Sequence, residues 1–393
     1  MALGTLTGAV LTGAAPAGAA QEAVTLAPGV TYEEFDIEGA QGTAHAHVVS
    51  VDLGEPRVSV GLLHPGAVAA RAAVSRMADT LGAVAGINGD FFNLSETQHP
   101  GVAATGASVG PAVAGGRALK AAVPTGQRFG PALPPGTTTE EVLGVGTDRL
   151  ARLDRLALDG SVRTPRERLP LGGFNQYALP VGSVGAFTAD WGSASRVRAT
   201  CGTDTDRAAP CSADTYEVTV RGGRVVSAAR TPGSGAIPPD TTVLVGREAG
   251  AQRLRTLATG DEVTVAHRLV AASGTSYSFA LGGYPVLGGG QPLPGLDDRT
   301  SAVRTAAGIA DGGRRLLLFA LDGAPAYRGG LTVAEVADAL RRLGAVDGFN
   351  LDGGGSTTLV SRAPGASAVT VRNHPSGGAE RAVPNGIGVF SAA

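Results

Sequence analysis

The sequence predicts a mixed α/β fold of the α+β kind, with strand-rich sheets and a few covering helices. Three observations predict it: many short apolar segments that alternate, few convincing amphipathic helices, and one strand–helix–strand unit near the C-terminus. Gly is 60 and Pro 24 of 393 residues, so tight turns should separate short elements. Residues 44–52 (AHAHVVSVD), 216–220 (YEVTV) and 261–265 (DEVTV) alternate like half-buried strands, and 316–321 form a fully apolar run. One helix is expected around residues 67–81. A clearer one begins after Thr332, with Glu335 at capping-box spacing, then Val333, Val336, Ala337 and Leu340 on one face and Gly344 past its end. Residues 121–170, rich in Pro, Thr and Gly, read as a loop-rich connection.

Composition narrows the function classes. Apolar residues make up 43% and charged residues 17%, so a sizeable core can form. The net charge is −2 without a long basic run, which argues against a nucleic-acid or membrane-surface partner. Lys120 is the only lysine and is attributed to composition alone. Residues 1–20 read as a secretory signal that lacks its basic start, with a plain N-terminal tail as the alternative, so a secreted or cell-wall location is expected. Residues 21–393 are read as one functional region, with 121–270 its loop- and strand-rich middle section. No apolar run of ~18 residues follows the leader, so no membrane span is expected. Cys201 and Cys211 should close a loop as a disulfide in an oxidising compartment. Oligomeric state is unreadable.

The C-terminal third carries the chemistry. A strand ends at Asp322-Gly323, the capped helix follows, and a second strand ends at Asp352-Gly353-Gly354-Gly355-Ser356. Such connections are right-handed crossovers between parallel strands, which puts Asp322 and Asp352 at one sheet edge. Neighbouring or next-neighbouring strands would hold them ~5 to 10 Å apart. Glycines let the backbone approach a ligand and aim N–H groups at an anion. No Gly-Lys-Ser/Thr follows, so the run is not a nucleotide-triphosphate loop. Arg304 offers a fork for paired phosphoryl oxygens, and Tyr327-Arg328-Gly329-Gly330 fills the loop above the proposed site. An internal echo aligns residues 81–90 (LGAVAGINGD) with 343–352 (LGAVDGFNLD), two units expected to present similar polar ends to one site. His45 and His47 share one strand face, and other histidines are scattered. No HExxH, calcium-loop or G-x-S-x-G pattern is present, so neither a catalytic zinc nor a serine nucleophile is expected.

These residues resemble the phosphodiester glycosidase family. The resemblance rests on Gly86-Ile87-Asn88-Gly89-Asp90-Phe91-Phe92, Arg304-Thr305-Ala306, Asn350-Leu351-Asp352-Gly353-Gly354-Gly355-Ser356-Thr357, and Asn373-x-Pro375-Ser376 with Arg381-x-Val383-x-Asn385. Weaker similarity runs from about residue 40 to the end, through Gly173-Phe174-Asn175 and Thr188-Ala189-Asp190-Trp191-Gly192. It implies hydrolysis of a glycosidic bond to an anomeric phosphate in a sugar-phosphate or phosphoglycan. Asp352 and Asp322 would share acid, base or nucleophile work, with Asp90 ranked below them because the family commonly shows Gly there. Gly377 stands where the family often has Asp, and Val303 where it often has Pro. Arg304, Arg328 and the amides of Gly353, Gly354 and Gly355 would hold the phosphate, with Ser356 and Arg381 also among the substrate-binding residues. Asn88 and Asn385 would bond sugar hydroxyls or an N-acetyl group. No cofactor or metal is expected, with a carboxylate-bound calcium left open. The spacing does not choose between retaining and inverting geometry. Two other readings stand beside this one: a non-catalytic wall- or exopolysaccharide-binding protein, and a metal-dependent phosphodiesterase.

Overall fold

The apolar run expected at 316–321 lies in the strand Arg315–Leu321, buried from Leu316 to Leu321 in the middle of an eight-stranded sheet. A strand covered on both faces reads as an unbroken apolar run rather than an alternation. The computed structural model describes residues 23–392, so the expected leader at 1–20 lies outside the described residues. The sheet order is Val24–Ala27, Val30–Gly39, Gly42–Asp52, Arg315–Leu321, Thr305–Ala310, Asp347–Leu351, Tyr284–Gly288, Gln291–Pro292, with every neighbouring pair antiparallel. A five-stranded antiparallel sheet pairs Thr370–Val371, Leu359–Ser361, Ala85–Asn88, Gly386–Ser391 and Val58–Leu63 in that order. One apolar cluster joins the two sheets, with Val48, Phe319 and Phe349 from the first and Ile87 and Ile387 from the second.

The expected α+β class is corrected: the chain is mainly β, with 40% strand and 12% helix. Among the described residues the α-helices are α1 (Val74–Leu81), α2 (Ala249–Leu254) and α3 (Val333–Arg342). The helix expected over 67–81 is half that length. The amides of Val68, Ala69 and Ala72 donate to Asp190, Trp191 and Val383, so that stretch is tied to other segments before it can coil. Residues 121–170 are more ordered than expected. They contain Glu141–Gly146 and the long strand Ala151–Arg163, whose exposed positions blur the apolar period. The expected strand at 261–265 begins later, at Thr264–Ala271.

The strand–helix–strand unit is present, with one addition. Thr305–Ala310 lies between Arg315–Leu321 and Asp347–Leu351 and runs antiparallel to both, so the outer two are parallel and next-nearest. Helix α3 has the capping box the sequence spells: Thr332 Oγ1 accepts from the Glu335 amide, and Glu335 Oε2 accepts from the Thr332 amide.

The internal echo is also structural. Helix α1 ends at Gly82 (φ 77°), and α3 is followed by Gly344 (φ 89°). Each left-handed turn is closed by the same two backbone bonds, Gly82 to Asp79 with Ala83 to Ala78, and Gly344 to Arg341 with Ala345 to Leu340. The strands that follow, Ala85–Asn88 and Asp347–Leu351, belong to different sheets. Their ends meet: the Asp352 amide donates to Gly89 O at 2.9 Å.

Candidate active site

Asp352 leaves its strand at this junction. Ser356 Oγ donates to Asp352 Oδ2 at 2.6 Å, and Arg381 Nη1 donates to the same hydroxyl at 3.2 Å. The residue as a whole is half-buried, and withdrawal of its carboxyl from water pushes the pKa up to about 7. Ser356 and the Arg381 charge pull the other way, and Asp90 adds to the rise. The glycine run turns tightly beside it. A Cβ on Gly353 would stand 2.7 Å from Val303 O, and one on Gly355 would stand 2.3 Å from Arg381 Nη2. Gly354 N–H is spent on Val303 O, and Ser356 N–H on Gly353 O. Gly355 N–H meets no backbone acceptor among the described residues, and the Gly353 amide and the Arg381 charge both favour the ionised carboxylate.

Asp90 follows Asn88 and Gly89 at the end of the partner strand. It is buried, its amide donates to Asn385 Oδ1 at 3.0 Å, and Oδ2 accepts from the Gly110 amide at 2.6 Å. Oδ1 has no partner. Burial raises its pKa, and the Lys120 charge opposes the rise. Lys120 is itself buried, with Nζ donating to the carbonyls of Val109, Gly110 and Ala121. Burial lowers the ammonium's pKa, while Asp90 supports its charge.

Asp322, at the end of the parallel strand, has different company. Oδ1 accepts from the Ala324 amide at 2.7 Å. Oδ2 faces the His374 amide at 3.0 Å, the His374 ring at 2.9 Å and His47 Nε2 at 3.2 Å. Burial pushes its pKa up, but the His374, Ala324 and His47 hydrogen bonds outweigh it and hold the group below the usual carboxylate range. The carboxylate is saturated by the loop at His374 and by His47. The structure therefore places Asp90, rather than Asp322, beside Asp352.

The other expected site residues divide in the same way. Asn88 is fully engaged: Nδ2 donates to Asp352 O at 2.6 Å, and Oδ1 accepts from Thr305 Oγ1 and the Thr358 amide, each at 3.0 Å. It staples the two strand ends together and is fully buried, which withdraws it from contact with a sugar. Arg304 is buried, with Nε on Leu331 O at 3.0 Å and Nη2 on Thr300 O, so its fork holds the approach to α3. Arg328 is exposed and caps Gly323 O and Ser376 O. Asn385 is buried against Asp90.

Residues 214–390 match the family model described as phosphodiester glycosidase. Over that segment the chain resembles the phosphodiester glycosidase family. The family segment holds Arg304, Asp322, Arg328, Asp352, the glycine run, Arg381 and Asn385, while Asn88, Asp90 and Lys120 precede it. Among solved structures the chain is similar to a hypothetical protein from Synechocystis, at 19% identity and TM-score 0.72 over 96% of this chain and 64% of that one. It thus spans less than two thirds of that protein. It is also similar to a putative exported protein from Burkholderia pseudomallei, at 21% identity and TM-score 0.67 over 90% of this chain and 75% of that one. These two likenesses show the fold. The zebrafish N-acetylglucosamine-1-phosphodiester α-N-acetylglucosaminidase catalytic domain, auto-inhibited by its pro-peptide, gives 15% identity and TM-score 0.46 over 93% of this chain and 85% of that one. No curated protein matches.

Lys120 is the residue that sequence reasoning passed over. Its signal was available: the one lysine of an arginine-rich chain, inside a strand (RALK) whose last two residues are buried. The expected disulfide links Cys201 and Cys211. Among the described residues no helix is long and apolar enough to cross a membrane.

Proposed function

We propose that the chain hydrolyses the glycosidic bond of a sugar-1-phosphodiester, releasing a free sugar and a phosphomonoester. The observation that carries this reading is the Asp352 corner: a half-buried aspartate whose carboxyl has a raised pKa, bonded by Ser356, with Arg381 on that serine and a second carboxyl at Asp90. The family segment supports the reaction class.

In this reading Arg381 and the Gly355 N–H take the phosphoryl oxygens, where charge-assisted bonds are strongest. The bond between C1 and the phosphate oxygen breaks, and its electron pair stays with that oxygen. Water supplies the new C1–O bond. Asp352, which keeps its proton near neutrality, bonds the departing oxygen and offsets its charge. Asp90 is the second carboxylate and takes up the proton that the water releases. An extracellular phosphoglycan is the proposed substrate class, because a disulfide persists in oxidising compartments.

A panel of sugar-1-phosphodiesters incubated in ¹⁸O-labelled water tests this. Label in the sugar is expected. Label in the phosphate would make the protein a phosphodiesterase, and saturable binding without turnover would make it a glycan-binding protein. A parallel incubation with a chelator reports whether turnover needs a metal.

A further inference from the structure

The proposed reaction leaves a second polar cluster unexplained, on the first two long strands of the eight-stranded sheet. Strands Val30–Gly39 and Gly42–Asp52 pair so that Glu34 stands opposite His47 and Asp36 opposite His45. The period of two puts these four side chains, with Tyr32, on one face. We propose that Glu34, His45 and His47 bind one first-row divalent metal ion, with Zn²⁺ the reference occupant.

Three observations carry the proposal. First, one ligand atom from each of the three residues lies within 4.8 Å of the others. His47 Nδ1 and Glu34 Oε2 are 3.5 Å apart, close to the ~3.3 Å edge of a tetrahedron with metal–ligand bonds of about 2.0–2.1 Å.

Second, each histidine gives its other nitrogen to a carboxylate: His47 Nε2 faces Asp322 Oδ2 at 3.2 Å, and His45 Nδ1 faces Asp36 Oδ1 at 2.6 Å. An ionised carboxylate only accepts, so those nitrogens carry the hydrogens. The lone pairs are left on His47 Nδ1 and His45 Nε2. This carboxylate–histidine pairing is how metal-binding imidazoles are oriented and made more basic.

Third, the cluster is short of hydrogens and rich in negative charge. Tyr32 Oη lies 2.8 Å from His47 Nδ1 and is also bonded to Glu34 Oε2, so one hydroxyl hydrogen serves two acceptors. Glu34, Asp36 and Asp322 bring three carboxyl groups to the cluster, and the Arg372 guanidinium stands 5.3 Å from the Tyr32 ring centre. A divalent cation would relieve both deficits. Two imidazoles and one carboxylate suit zinc and its neighbours rather than calcium or magnesium. Three protein ligands leave a fourth position for solvent beside the Tyr32 hydroxyl. Because Asp322 also anchors the His374 loop, the ion would brace that loop from behind.

The test uses the whole chain, stripped with EDTA and titrated with ZnSO4 by calorimetry, with metal counted by mass spectrometry after dialysis. One equivalent of Zn²⁺ is expected, and Co²⁺ should give the visible absorption of a four-coordinate site. Glu34→Gln and His45→Gln should each weaken Zn²⁺ binding at least 100-fold. Asp36→Asn should weaken it about 10–100-fold, as for other outer carboxylates. His267→Gln, which removes an imidazole stacked on Phe174 away from the cluster, should change nothing. His47 is buried and its replacement risks the fold, so the two partly exposed ligands decide. Absence of stoichiometric binding, or equal binding by the Glu34 and His45 variants, would overturn the proposal.

Discussion

Asp322 and Asp352 close two parallel strands of one sheet, with Thr305–Ala310 between them, and each is followed by glycine. Their surroundings differ because of what the rest of the chain brings to each end. At Asp322, His47 arrives from the adjacent strand and the His374 loop folds over, so both oxygens are bonded and the charge is stabilised. At Asp352 a glycine turn keeps the backbone out of the way, one serine bonds the carboxyl, and another carboxyl lies nearby. The same local pattern gives an anchor at one end and a titrating group at the other. A strand-terminal Asp-Gly therefore marks an edge, and only the facing loops decide whether that edge is used for chemistry.

Mutations can break this contrast. The largest effect is expected from Asp352→Asn, which should lower turnover of a sugar-1-phosphodiester by about 10²–10⁴-fold, the usual range for a general acid, with the far-UV circular dichroism unchanged. Arg381→Ala should cost about 10²-fold in kcat/KM, with Arg381→Lys recovering only part of it, because a point charge does not reproduce the fork.

Asp322→Ala should act on stability instead. It leaves the His374 and Ala324 amides and His47 without their acceptor, and should lower unfolding free energy by about 1–3 kcal/mol in a urea titration. The smallest effect concerns pH. Because burial raises the Asp352 pKa, the folded chain binds more protons than the unfolded chain between the ordinary value of 3.8 and about 7. This contribution is complete below that window and is lost as pH rises through it. Asp352→Asn should remove the loss, so the variant should melt a few degrees above the parent at pH 8 and show a flatter stability profile from pH 4 to 7.

Much of this arrangement was legible in the sequence. The capping box at Thr332 and Glu335, the strand ends at Asp322 and Asp352, and the repeated Leu-Gly-Ala-Val units depend on neighbours a few residues apart, and local spacing records them. The strand between the two parallel ones was not foreseen as an insertion, because Thr305–Ala310 precedes both in the chain and only sheet register places it. The mainly β class was missed for a related reason. Long, half-exposed strands such as Ala151–Arg163 carry a weak apolar period, and antiparallel pairing is set by distant partners. Side-chain roles were the least readable. Asn88 and Arg304 have the chemistry of ligand-binding groups, yet the fold spends them on backbone carbonyls, a backbone amide and a hydroxyl, some as far as 270 residues away. Lys120 looked like a compositional accident until burial put it beside Asp90.

In the proposed mechanism turnover depends on Asp352, while Asp322 supports the fold. The most direct measurement is kcat for Asp352→Asn and Asp322→Asn side by side on one sugar-1-phosphodiester, each confirmed folded by its melting curve. The Asp322 variant should keep turnover within about tenfold of the parent while the Asp352 variant falls by orders of magnitude. An Asp352 variant that turns over normally, or an Asp322 variant that is folded and dead, would contradict that mechanism.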